Sequence, residues 1–272
     1  MWIDPLSRRF FKNAGLIPST QGRGPVVIMY HSITPGNGLP DSRWSVSERS
    51  FRSQLDLLKS EGWTTACVRD LTKADTLPLR TVVITFDDGF ENNFEHSFRH
   101  LNEYGMKATW FVVTMDIGKQ SGWHDKDASS RQMLRDEQLK EMTAKGMEIA
   151  AHTRSHARLP ELDARSITDE IEGSKKDLED ILGLTVDSFA YPYGLFNDNC
   201  VEAVRKAGYK VACTTQTGWF GSETDLLRVR RVGIFSDDNL SAFARKVAFA
   251  DHMPWKQVVG YITSRVGVKL GF

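Results

Sequence analysis

The chain has 272 residues, 40% hydrophobic and 26% charged, with 35 basic and 35 acidic side chains and so no formal net charge. This is the composition of an ordinary globular protein, long enough for one large α/β domain, and it lacks the basic footprint of a nucleic-acid-binding domain; no nucleic-acid partner is expected. Three cysteines, Cys67, Cys200 and Cys213, are odd in number, far apart and without CxxC spacing, which argues against a disulfide framework and for buried small hydrophobes.

No apolar run approaches the roughly 18–20 residues of a membrane span. Residues 1–23 have no continuous apolar stretch of signal-peptide type. They mix Trp2, Ile3, Leu6, Phe10 and Phe11 with Arg8, Arg9 and Lys12. They read as an N-terminal extension, an amphipathic helix packing on its own domain, with an interfacial membrane anchor as the alternative. A cytoplasmic location, or one peripheral to the membrane, is therefore expected.

The segment "PVVIMYHSI" (25–33) reads as a buried strand, followed by a Gly/Pro/Asn loop. A helix is expected from an N-cap at Ser47 to Gly62, with Phe51, Leu55 and Leu58 at helical spacing. Strands are expected at 63–68, 81–86, 107–114, 147–152, 188–192 and 210–215, and an extended segment at 226–234. Helices are expected at 92–105, 136–146, 167–183, 198–209, 237–250 and 255–270, and a long polar loop at 115–135. Strands alternating with helices predict βα units on a parallel sheet. No break in composition divides residues 24–250, so a single-domain (β/α) barrel, complete or distorted, is expected, followed by a C-terminal helix at 251–272 packing on it.

In such barrels the site lies where strands end, and reactive residues do collect there. His31 follows "VVIMY"; Asp87 and Asp88 follow "VVITF"; His152 follows "MEIAA", with His156 four residues on; Tyr193 follows "SFAYP". The "HTRSH" spacing brings two imidazoles toward one cation, and Thr153 after the first histidine disfavours the helical metalloprotease motif. Two histidines with one carboxylate leave an open position at a divalent metal. The second carboxylate is then free to take a proton from water. Spacing alone does not say which aspartate does which. The Pro-Tyr-Gly turn can present a backbone N–H to an oxyanion.

"TFDDG", "HTRSH" and "FAYPYG", in this order, resemble the polysaccharide deacetylase (NodB-homology) family, carbohydrate esterase family four. The similarity spans roughly residues 24–250. The resemblance implies a distorted (β/α) barrel and metal-assisted removal of acetyl groups from glycans. It makes Asp87 the base, Asp88, His152 and His156 the metal ligands, and the Tyr193 N–H part of the oxyanion hole. The usual arginine opening the third motif is absent here, where Phe189 and Ala190 stand, so the resemblance implies that the arginine orienting the base comes from elsewhere. "LRVRRVGI" is similar to the later arginine segment of the FAYPYG branch, with Arg231 the best match and Arg230 the substitute. The usual late Leu-His motif is also missing. "MYHSI" resembles the circularly permuted branch, whose acid histidine comes from the first strand, which makes His31 the general acid; His252 is the only histidine beyond the arginines. His96, His100 and His124 read as helix-face or loop residues. Of the aromatics that could line a sugar site (Trp44, Trp110, Trp123, Trp219 and Phe220), Trp110 reads as core, and Trp123 and Trp219 are the expected sugar contacts.

The expected function is thus a metal-dependent hydrolase that removes the N-acetyl group from an N-acetylated sugar or polysaccharide and releases acetate. Zinc suits the ligands, and cobalt or nickel would fit the same set. The alternatives are a non-catalytic glycan-binding domain on the same fold, and a deformylase or O-deacetylase of a nucleotide- or lipid-linked sugar.

Overall fold

The computed structural model describes residues 24–36, 38, 40–123, 131–221 and 224–251. The expected N-terminal extension, most of the C-terminal segment, His124 and His252 lie outside them. A parallel sheet runs in the order β10-β1-β5-β6-β7-β8-β9. Its strands are β1 (Val26–Tyr30), β5 (Thr81–Phe86), β6 (Thr109–Val112), β7 (Glu148–Ala151), β8 (Ser188–Ala190), β9 (Val211–Cys213) and β10 (Val232–Gly233). β4 (Thr64–Ala66) pairs with the first half of β5, and a small separate sheet joins β2 (Ser32–Thr34) to β3 (Ser45–Ser47). The sheet curls into a distorted barrel. Its last step is made by residues 229–233, which bridge to β9 at Val229 and pair with β1 at Val232 and Gly233.

Side-chain alternation along the strands sorts the core into two layers. Val27, Val83, Phe111, Ala150, Ala190, Cys213 and Val229 pack together inside the barrel. Their neighbours Ile28, Ile84, Trp110, Ile149, Phe189 and Ala212 pack outward. There they meet α1 (Glu48–Ser60), α2 (Arg99–Tyr104), α3 (Asp136–Ala144), α4 (Ala164–Leu182), α5 (Asp198–Lys206) and α6 (Leu240–Phe249). α1 forms as its sequence requires: the Ser47 hydroxyl accepts from the Ser50 N–H, and Phe51, Leu55 and Leu58 are buried. The three cysteines are buried thiols without a disulfide.

The inward register continues past each strand end, and this is what builds the site. It runs from Met29 to His31, from Thr85 to Asp87, from Ala150 to His152 and from Val229 to Arg231. At the opposite end it places Glu148, buried, where Ser188 Oγ (2.7 Å), Thr109 Oγ1 (2.7 Å) and the Arg69 N–H (3.1 Å) donate to its carboxylate. That end of a barrel serves stability rather than chemistry.

Several expected elements differ in detail. The strand expected over 25–33 breaks at His31, residues 32–34 passing to the small sheet, and the one expected over 188–192 ends at Ala190 before a 3₁₀ turn, Pro192–Gly194. The helix expected over 92–105 begins as a π-helical turn, Phe94–Phe98, before α2. Its entry is anchored by Asn92 and Asn93, whose amides are tied across to residues 31–33, and the wider turn absorbs the constraint. The extended segment at 226–234 opens with a 3₁₀ turn, Leu226–Arg228, because the Asp225 carboxylate accepts from the Leu227 N–H. No helix among the described residues is long and apolar enough to cross a membrane.

Candidate active site

Asp87 and Asp88 follow β5 directly. On a continuing strand their side chains would diverge. The chain instead turns at once: Asp88 is left-handed (φ 75°), Gly89 follows at φ 88°, and the Gly89 N–H donates to the Asp87 carbonyl at 3.0 Å. A Cβ on residue 89 would lie 3.0 Å from Val112 Cγ1 in addition to the strained φ, so glycine belongs there. Both carboxylates thereby face one space, and both are buried.

Asp88 meets the two histidines. Its Oδ1 lies 3.6 Å from His152 Nε2 and 3.5 Å from His156 Nε2, and one ligand atom from each of the three lies within 4.8 Å of the others. Donors bound tetrahedrally at about 2.0–2.1 Å sit roughly 3.3 Å apart, so the set is close to the spacing a cation needs. The His152 Nδ1–H donates to the Ala190 carbonyl at 2.8 Å, leaving Nε2 with its lone pair toward Asp88. Burial pushes the His152 imidazole below its ordinary pKa, against the pull of Asp87. Burial, with His152 and His31 adding to it, holds His156 far below the usual range. Two neutral nitrogens and one anionic oxygen, all buried, are a donor set that fits a divalent metal of the zinc type.

Asp87 is held differently. Arg231, fully buried, grips it with two parallel bonds, Nη1 to Oδ1 at 2.6 Å and Nη2 to Oδ2 at 2.7 Å. Arg231 is itself fixed by donating through Nε to the Thr214 carbonyl (2.9 Å) and through Nη1 to Thr85 Oγ1 (3.2 Å). Burial alone would raise the Asp87 carboxyl; the Arg231 guanidinium, with His152 and His31, holds it down at about 2. Arg230, the expected substitute, is exposed.

His31 comes off β1, between β5 and β10, and its backbone carbonyl accepts from Asn93 Nδ2 at 2.6 Å. Burial holds its imidazole down at about 4, opposed by Asp87 and assisted by Arg231, His152 and Arg131. Its Nδ1 is buried without a protein partner. The Trp44 ring lies against it at 4.5 Å. Tyr193 sits in a left-handed turn (φ 58°) with its ring 4.5 Å from His156. Gly194 allows that turn, since a Cβ there would lie 1.9 Å from Thr215 Oγ1. Trp123 stands 4.6 Å from His156 and stacks on Phe90 at 6.2 Å. Trp219 is partly buried and packs against the apolar layer under the helices.

Backbone strain marks the same place. Five non-glycine residues among those described have positive φ, and four of them, Asp88, Thr153, His156 and Tyr193, belong to the site. Each such residue costs about 1–3 kcal/mol and persists only where its surroundings impose it. Three participants were not singled out from sequence: Asn93, Arg131 and Phe90. Asn93 is fully buried and bridges residues 31 and 33. Arg131 donates to Ser32 Oγ (2.6 Å) and Asp41 Oδ1 (2.7 Å) and covers Phe90. The run "FENNF" directly after the acidic turn was the available signal, since paired asparagines there have no packing use of their own.

The polysaccharide deacetylase family model matches residues 74–212. The chain is 30% identical over 221 residues to the Bacillus subtilis (strain 168) protein YxkH, itself classed among polysaccharide deacetylases, covering 80% of this chain and 74% of that one. The chain belongs to the polysaccharide deacetylase family. It is also 30% identical over 208 residues to a Staphylococcus aureus poly-β-1,6-N-acetyl-D-glucosamine N-deacetylase, covering 68% of this chain and 70% of the relative. Among solved structures, a polysaccharide deacetylase from Bacillus cereus superposes with a TM-score of 0.71 at 29% identity, over 83% of this chain and 69% of that one. Within this deacetylase fold the family stretch holds Asp87, Asp88, His152, His156 and Tyr193. His31 and Arg231 enter from outside it, on β1 and on the segment leading into β10.

Proposed function

We propose that this chain is a metal-dependent N-deacetylase of an N-acetylated polysaccharide. The observation that carries the reading is the convergence of Asp88, His152 and His156 on one point, beside a separate carboxylate, Asp87, kept ionised by Arg231. The relation to a poly-N-acetylglucosamine deacetylase supports the substrate class.

Asp88 and the Nε2 atoms of His152 and His156 would hold the cation. A metal bound there supplies Lewis acidity, lowering the pKa of a water and drawing charge from the acetyl carbonyl. Asp87 accepts the proton of the attacking water. The water oxygen bonds to the acetyl carbon, and the Tyr193 N–H stabilises the developing oxyanion. The C–N bond then breaks as His31 gives a proton to the amine. His31 enters this cycle neutral. The proton that Asp87 draws from water is balanced by the one that His31 delivers to the leaving nitrogen. One proton travels from water to amine, and acetate leaves with the oxygen. Trp123 beside His156, and Trp44 beside His31, offer faces on which sugar rings can stack; Trp44 is 39% exposed.

The test is acetate and formate release from β-1,6-N-acetylglucosamine oligomers and from nucleotide- and lipid-linked N-acylated sugars, with and without chelator. Chelator-sensitive acetate release from the oligomers is expected. Formate release, or acetate only from the linked sugars, would move the substrate class. Glycan binding without any release by metal-loaded protein would make the chain a binding domain.

A further inference from the structure

The loop that carries both histidines is gripped by one helix. Glu170, on α4, accepts from the Arg154 N–H (2.8 Å) and the Ser155 N–H (2.9 Å) at Oε2 and from the Ser155 hydroxyl (2.5 Å) at Oε1. Two turns further on, Asp177 Oδ2 accepts from Arg154 Nε (3.2 Å) and from the Thr114 hydroxyl (2.6 Å). Between them Gly173 leaves the groove in which the arginine lies, for a Cβ there would be 2.4 Å from Arg154 Cδ. On the loop's other side, the Thr114 and Met115 N–H groups donate to the carbonyls of Thr153 (3.2 Å) and Arg154 (2.9 Å).

The gripped residues, 154 and 155, are flanked by the two strained ones. Thr153 and His156 both have positive φ, and a β-branched residue such as Thr153 is least at home there. A free five-residue loop would relax out of this shape and carry the two imidazoles apart. A carboxylate taking three hydrogen bonds from the loop opposes that.

We propose that Glu170 is a positioning residue for metal binding: with Gly173 and Asp177 it forms a template on α4 that holds residues 152–156 in the two-imidazole conformation before the cation arrives. This rests on the metal reading of the Asp88, His152 and His156 site. Groups that orient ligands from behind typically change metal affinity by about 10–100-fold.

The experiment is zinc(II) titration of the metal-free full chain by competition with a chromophoric chelator, on wild type, Asp88→Ala, Glu170→Ala and Glu170→Gln. Folding of each variant is checked by circular dichroism; alanine is a strong helix former, so α4 should persist. Glu170→Ala should weaken zinc binding by about 10–100-fold, while Glu170→Gln, whose amide oxygen still accepts both backbone N–H groups, should stay close to wild type. Unchanged affinity in Glu170→Ala would overturn the template and leave the metal site standing. Equal weakening in Glu170→Gln would refer the effect to charge and also overturn it. Identical zinc binding by wild type and Asp88→Ala would remove the metal reading and this inference together.

Discussion

The Arg231–Asp87 pair is the most quantitative feature of the site, and replacing Arg231 by Met tests it. In the wild type Asp87 has its folded pKa depressed from the ordinary 3.8 to about 2. Its stabilising contribution is therefore present above pH 3.8 and lost as pH falls toward 2, and it amounts to about 2.5 kcal/mol. Asp87 is only 3% exposed, so solvent does little to screen this. In Arg231→Met the burial penalty is opposed only by the weaker pull of His152 and His31, and the folded pKa moves above the unfolded one. The sign then reverses: the variant is hurt more as pH rises. Keeping the carboxyl protonated in the fold would cost about 1.6 kcal/mol at pH 5 and about 4.4 kcal/mol at pH 7. The destabilisation relative to wild type should be about 3–5 kcal/mol at pH 7, as for other broken buried pairs. It should shrink by up to about 2.7 kcal/mol at pH 5. The lost bonds to the Thr214 carbonyl and Thr85 hydroxyl do not titrate and shift both values alike. The assay is urea unfolding of metal-free protein followed by tryptophan fluorescence at pH 5, 6 and 7. A penalty under about 1 kcal/mol, or one equal at pH 5 and 7, would refute the claim that Arg231 is what keeps Asp87 ionised.

Asp87→Asn should keep zinc and lose about 10²–10⁴-fold in kcat, whereas Asp88→Ala should lose both zinc and turnover; unchanged kcat in Asp87→Asn, measured by acetate release, would remove the assigned base. In the proposed cycle His31 enters neutral, so kcat/KM should be level from about pH 6 to 8 and fall on further acidification as the histidines take protons; a rate rising steadily as pH drops from 8 to 5 would mean that His31 must be protonated in the free enzyme. Gly194→Ala should destabilise the fold by more than about 1 kcal/mol, because the new Cβ meets Thr215 Oγ1 at a left-handed residue, and calorimetry that shows no change would contradict the turn as described. Trp123→Ala should raise KM for oligomers with little effect on unfolding, and Trp219→Ala should do the opposite, since Trp123 stands against His156 and Trp219 packs on the apolar layer.

Much of the molecule was legible before folding. Apolar β-branched runs ending in a polar residue marked β1, β5 and β7, and Ser47 with Phe51, Leu55 and Leu58 announced α1, because these patterns depend only on local periodicity. The same periodicity carried His31, Asp87 and His152 to strand ends. The resemblance to a known family, rather than spacing, divided the work between Asp87 and Asp88. What was not legible has one cause, the joining of segments far apart in sequence. The resemblance, not any local pattern, named Arg231 as the arginine that orients the base; its two parallel bonds to Asp87, 144 positions away, come from the fold, as does the hold of Asn93 on the His31 backbone.

The helix after the acidic turn began as a π-helical turn because Asn92 and Asn93 are tied to another strand, a contact no local pattern encodes. Trp123 and Trp219 looked equivalent in sequence, both tryptophans in polar loops, and only packing separated them. The sequence by itself determined the barrel's alternation of elements and which residue types gather at its strand ends, since burial periodicity and turn chemistry are local. The tertiary structure alone decided which of those residues meet. Bidentate pairing, a converging ligand set and a loop held in strained conformation each require groups from several strands and helices to be fixed within a few ångströms of one another.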